Sequence, residues 1–214
     1  MAISTYAELK TAVTNWMARS DLSGDAADFI TLAEARLNRQ IPAVETDVTL
    51  TGTIDSRRIS VSAHNVVSPL ALFIVEATGE EDELTQKADG TFPYTATSGR
   101  PTFWAMDGAN IDFDCPLDAA YTFRFRIRQR FVLSDSATTN WLLTNHPDIY
   151  LAATIVWSGA FIRDPEVISL FKGALEEGIP EVQTIIAEQS RALLMVDPGL
   201  TQTDRYTVND WTTS

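Results

Sequence analysis

Apolar positions recur with a helical period at both ends of the chain and with a period of two between them. In residues 1–43, Tyr6, Leu9, Val13, Trp16 and Met17 are spaced as the stripe of an amphipathic helix. Ser4 or Thr5 caps its start, and Glu8, three residues after Thr5, completes a capping-box pattern. Asp21-Leu22-Ser23-Gly24 reads as a turn. A second helix then runs from about Asp25 through Phe29, Leu32, Ala33 and Leu37 and stops before Pro42. Two short helices joined by a turn cannot bury both of their stripes alone, so this hairpin needs a partner.

Residues 44–131 alternate. Val48 and Leu50 are interleaved with threonines, Ile59 and Val61 with serines, and Ile111 and Phe113 with Asn110, Asp112 and Asp114. Turn signals at Thr51-Gly52, Asp89-Gly90, Ser98-Gly99-Arg100-Pro101 and Asp107-Gly108 separate the runs. Asp107-Gly108 in particular predicts a hairpin. From 132 onward the helical period returns. Asn145-His146-Pro147 marks a helix start, with Pro147 at the first helical position. Asp148 to Arg163 carries apolar residues in nearly every direction, as in a helix buried on all sides or sitting in a subunit interface. Asp164-Pro165-Glu166 opens a further helix, which Gly178-Ile179-Pro180 should break or kink. Val182, Ile185, Ile186, Leu193 and Leu194 resume the stripe, and Asp197-Pro198-Gly199 ends it.

The pattern predicts an α+β chain. A helical bundle forms from residues 1–43 with 132–196, an antiparallel β domain of residues 44–131 is inserted, and residues 197–214 make a C-terminal tail. That tail is polar but keeps Tyr206, Val208 and Trp211 as apolar anchors, which suits a segment that folds on binding.

Composition narrows the function. The 214 residues are 45% hydrophobic with 5 Trp and 10 Phe, enough for a packed core. A single Cys excludes a disulfide scaffold and a Cys-based zinc site and fits a reducing compartment. The N-terminus has no basic stretch followed by an apolar one, so no signal peptide is expected, and no apolar run is long enough to span a membrane. With 16 basic and 29 acidic residues the formal charge is −13, which argues against gripping nucleic acid over the whole surface. It leaves room for a protein that surrounds DNA without holding it. By region the charge is −1 for residues 1–43, −5 for 44–131 and −7 for 132–214.

Catalytic and metal-binding patterns are not found. His64 and His146 have no partners at ligand spacing, and Cys115 before Pro116 reads as a buried inert thiol. Asp112 and Asp114 share a strand face and read as its solvated side. No enzyme activity, cofactor or metal is expected. Two charge features remain. Glu80-Glu81-Asp82-Glu83 reads as a solvated loop or helix start. Arg124, Arg126, Arg128 and Arg130 alternate with Phe123, Phe125, Ile127 and Phe131, so a strand would carry four guanidinium groups on one face and apolar side chains on the other. Neighbouring strands can neutralise such a ladder; alternatively it pairs with acids of another subunit, for which the 80–83 run is a candidate, or it forms a nucleic-acid stripe.

Three blocks carry a family resemblance. They are Ile3-Ser4-Thr5-Tyr6-Ala7-Glu8-Leu9 to Trp16 with Asp28 to Arg39; Gly99-Arg100-Pro101 with Trp104, Ile111 to Pro116 and the strand from Tyr121; and Asn140 to Leu151. Over roughly residues 3–195 the chain resembles tailed-phage head-to-tail adaptor proteins of the connector or tail tubular class. The resemblance implies a structural virion protein at the head–tail interface, made in the cytoplasm of the host bacterium. It implies a ring, typically of twelve copies, seated beneath the portal protein, receiving the tail or nozzle protein and passing genomic DNA without sequence-specific contacts. It also implies that the C-terminal tail docks on the portal, with Tyr206, Val208 and Trp211 as its anchors, and that the helix after Asp164 is unbroken, against the local signal at 178–180. A head-completion or tail-terminator protein and, in a different class, a carbohydrate-binding β module are the alternatives.

Overall fold

The computed structural model describes residues 3–191 except residue 92. Its architecture is mixed α and β. Helix α1 (Tyr6–Trp16) starts with the expected box: the Glu8 amide donates to Thr5 Oγ1 at 3.3 Å and the Thr5 amide donates back to Glu8 Oε2 at 3.0 Å. Tyr6, Leu9, Ala12 and Val13 are buried, whereas Trp16, at the end of the expected stripe, is 63% exposed with its ring edge-on to Phe171. Helix α2 (Ala26–Gln40) buries Phe29, Ile30, Ala33 and Leu37. Leu32, expected on that face, is exposed, because it lies about 160° around the helix from buried Ile30 and about 140° from buried Leu37.

The β region forms one curled sheet of seven strands in the order β1-β7-β3-β4-β5-β6-β2. The strands are β1 (Val44–Thr51), β2 (Arg58–Ser60), β3 (Val66–Val75), β4 (Glu81–Gln86), β5 (Phe103–Asp107), β6 (Asn110–Phe113) and β7 (Thr122–Gln129). Asp107 pairs with Asn110 across a two-residue turn whose Gly108 takes φ +58°, a conformation that glycine adopts without strain. Two expectations are corrected. The acidic run is not a loop or helix start: Glu81 to Glu83 lie in β4, because Leu84 on the same strand is buried opposite Leu72. Nor is the sheet wholly antiparallel, since β4 and β5 pair in parallel through Thr85–Phe103 and Gln86–Trp104. The long connection between them supplies the crossover that parallel pairing needs. Trp104, Phe113, Phe123 and Phe125 fill the core of the curl, Phe113 stacked on Phe123 at 5.1 Å and Trp104 edge-on to Phe125 at 5.7 Å.

A separate core gathers the helices. Helix α3 (Trp141–Asn145) leads into α4 (Pro147–Ile162), which packs against α1, α2, α3 and α5. Ten of its residues are buried, among them Tyr150, Ala153 and Ile155, which are fully enclosed. Helix α5 (Pro165–Arg191) corrects the predicted break: it runs through Gly178 and Pro180 without interruption. Gly178 explains part of this, since a Cβ there would lie 2.2 Å from Ile149 Cδ1, so the glycine lets α5 approach α4. Leu175, Ile179, Val182 and Ile186 are buried on either side of the proline and hold the helix in register. The exposed Pro180 has no N–H to give to the preceding turn, a deficit worth up to about 3 kcal/mol in a helix interior. Replacing Pro180 with Ala should therefore raise the unfolding free energy, by about 2 kcal/mol in denaturant titration; a loss of stability would show that the helix needs the proline's shape.

Candidate functional site

Strand β7 presents the arginine ladder as its alternation requires. Phe123, Phe125 and Ile127 are fully buried, and the arginines lie on the other face. The ladder's charges are largely met within the chain. Strand β1 runs antiparallel beside β7 with Glu45 opposite Arg128 and Asp47 opposite Arg126. Arg126 and Arg128 both reach Glu45, at 3.3 and 3.2 Å, and Arg124 reaches Asp47 at 3.3 Å. Arg124 also lies over the Phe73 ring and donates through Nε to Glu81 at 2.7 Å, which holds Glu81 below the usual carboxylate range. Such exposed pairs contribute at most about 1 kcal/mol each, so their main effect is to stop four like charges from repelling one another. Arg130 has no ion pair among the described residues. Of the acidic run, Asp82 pairs with Arg100, and Glu80 and Glu83 face solvent. Tyr206, Val208 and Trp211 lie outside the described residues.

Asp112 departs from its expected role. It is 3% exposed rather than solvated, and its carboxylate takes Nη2 donors from Arg57 at 3.0 Å and Arg58 at 2.9 Å. Arg58 Nε also lies 2.7 Å from Asp112 Oδ1, an ion contact off the hydrogen-bonding direction. Asp114 accepts from the Thr102 amide at 3.1 Å. Cys115 is buried, its thiol pushed up by desolvation and donating weakly to the Gly99 carbonyl. His146 occupies the N-cap position of α4 without a side-chain capping bond, its ring against Trp141.

The two cores meet at a polar junction that sequence reasoning missed. As the chain leaves β7, Asn38 of α2 brackets Phe131, donating to its carbonyl at 2.8 Å and accepting from its amide at 2.9 Å. One turn earlier on α2, buried Glu34 accepts from the Leu133 amide at 2.6 Å and from the Tyr150 hydroxyl at 2.9 Å. Asn140 completes the chain by donating to the Tyr150 oxygen at 2.9 Å, while its own side-chain oxygen caps α3. Burial pushes the Glu34 carboxyl up to about 7, against the pull of the two donors. Burial, then the Glu34 charge, raises Tyr150.

The remaining charge feature is a ridge. Along α5, Glu166, Glu177, Glu181 and Glu188 fall within one narrow stripe at helical spacing, opposite the buried face. All four are exposed, and none has an ion pair among the described residues.

A family model described as SU10 adaptor protein matches residues 4–199. The chain belongs to that family, a family of phage head-to-tail adaptors. No curated protein matches it. Membership makes this SU10-type adaptor a structural component of a phage virion that works with portal and tail components. Among the described residues no helix is long and apolar enough to cross a membrane.

The junction predicts a pH dependence. Glu34 binds its proton more tightly in the folded chain, near 7, than at its ordinary value of 4.5, so its contribution to stability is full below 4.5 and is lost as pH rises through 7. Relative to Glu34→Gln, which keeps an acceptor without a charge, the natural chain should lose up to about 3 kcal/mol between pH 4.5 and 8 in denaturant titrations. Parallel curves for the two proteins would remove Glu34 from the account.

Proposed function

We propose that twelve copies of this adaptor close into a ring beneath the portal, extend its DNA channel and offer the surface on which the tail or nozzle protein assembles. The helical bundle of residues 1–43 with 132–196 and the inserted β domain of residues 44–131 are the two working parts. Residues 197–214 dock on the portal through Tyr206, Val208 and Trp211. Glu80 and Glu83 are the part of the acidic run left for a neighbouring subunit. The work is mechanical and electrostatic, without catalysis.

The observation that carries the channel reading is the α5 ridge. From Glu166 to Glu188 the stripe is about 33 Å long, close to one turn of duplex DNA. Facing a lumen, its unpaired carboxylates repel phosphates, so a duplex slides past instead of sticking. The same ridge would be a poor choice for a buried contact between like subunits, where each carboxylate would be desolvated without a partner.

Mixing the protein with its portal and imaging the product should show a collar on the portal; bare portals would contradict the adaptor ring. In phage carrying Glu177→Gln, Glu181→Gln and Glu188→Gln together, genome ejection should slow or stall. An unchanged ejection rate would place the ridge elsewhere.

A further inference from the structure

Beside the junction, a cleft of about 600 Å³ opens between the C-terminal end of α2 and the start of β3. Ile41, Pro42 and Val67 give it an apolar wall, and Val67, unpaired where β3 shifts register against β7 between Val66 and Ser68, is 46% exposed. Arg39 and Arg130 border the same cleft. Both are exposed, and neither guanidinium has a hydrogen bond or an ion pair among the described residues. This sets Arg130 apart from the other three ladder arginines, which are paired. In a chain of net charge −13, two cations left together beside an apolar wall call for a partner carrying both carboxylate and apolar groups.

The chain itself carries such a segment, and it starts nearby. Gln183 of α5 donates to the carbonyl of Gln40, a residue of the cleft wall, at 2.6 Å. Arg191 is eight helical residues further on, about 12 Å along the axis. The sequence after it holds Asp204 and Asp210 close to Tyr206, Val208 and Trp211, with Arg205 the single cation beyond 191. The residues between Arg191 and Asp210 can extend over about 60 Å, far more than a return to the cleft needs.

We propose that this cleft is the seat of the chain's own C-terminal segment, with Trp211 against Pro42 and Val67 and Asp210 between Arg39 and Arg130. The contact belongs to a chain that has not met a portal, and it is exchanged for the portal when the same segment docks there as proposed above. A tethered segment has an effective concentration in the millimolar range, so an intrinsic dissociation constant of about 0.1 mM suffices for roughly tenfold occupancy.

Hydrogen exchange followed by mass spectrometry on the full chain tests this. Amides of residues 204–214 should exchange about tenfold more slowly in the natural protein than in the Arg39→Glu, Arg130→Glu double variant, at any protein concentration. The same protection should vanish in Asp210→Asn with Trp211→Ala, which changes nothing in the described core. Equal exchange in the natural protein and the cleft variant overturns the proposal, whether the amides are protected or open in both. So does protection that grows with concentration, since a second copy would then supply the segment.

Discussion

The structure depends on the burial of α4. A helix with ten buried residues and no polar face has no stable position at a surface, so it must be enclosed by other elements. Helices α1 and α2 from the start of the chain and α5 from its end supply that enclosure. Each fully buried residue of leucine size contributes about 1.5–3 kcal/mol, so enclosing α4 outweighs any single ion pair in the molecule. With α1, α2 and α5 gathered on α4 around one core, the strands between α2 and α3 curl around a second core of their own.

The sheet still has to be held at a defined place against the helices. The Asn38–Phe131 bracket and the Glu34–Leu133–Tyr150–Asn140 chain do this where β7 returns to the helices. They connect polar backbone groups that would otherwise be buried without partners, a cost of about 1–3 kcal/mol apiece. Choosing a carboxylate for that position adds a charge that burial disfavours. The compensation is geometric: one oxygen accepts from two elements at once, so residue 133 and α4 are placed by the same atom of α2.

The elements of one period were legible in the sequence. The capping box of α1, the proline start of α4, the Asp107-Gly108 hairpin and the alternation of β7 each rest on neighbours in sequence, and each was found at its place. What failed depended on distant partners. Gly178 and Pro180 read as a break because their local signal is strong, yet Ile149, which makes the glycine useful, lies about thirty residues away. Asp112 read as solvated because Arg57 and Arg58 reach it only across the sheet. Glu34 did leave a trace, as an acid between Ala33 and Leu37 on the buried stripe of α2. The ladder was visible as charge, but its intrachain partners on β1 follow from the register alone.

The same separation of charge connects the fold to the work of an adaptor. Basic residues of β7 are largely neutralised by their own sheet, whereas four carboxylates of α5 stay without an ion pair among the described residues, on the side turned away from α4. A reconstruction of the portal-bound assembly by electron cryomicroscopy, at a resolution that places α5, tests this account most directly. The account predicts a closed ring with Glu166, Glu177, Glu181 and Glu188 of every subunit facing the lumen. A ring with that ridge on its outer surface, or sealed between subunits, would contradict it.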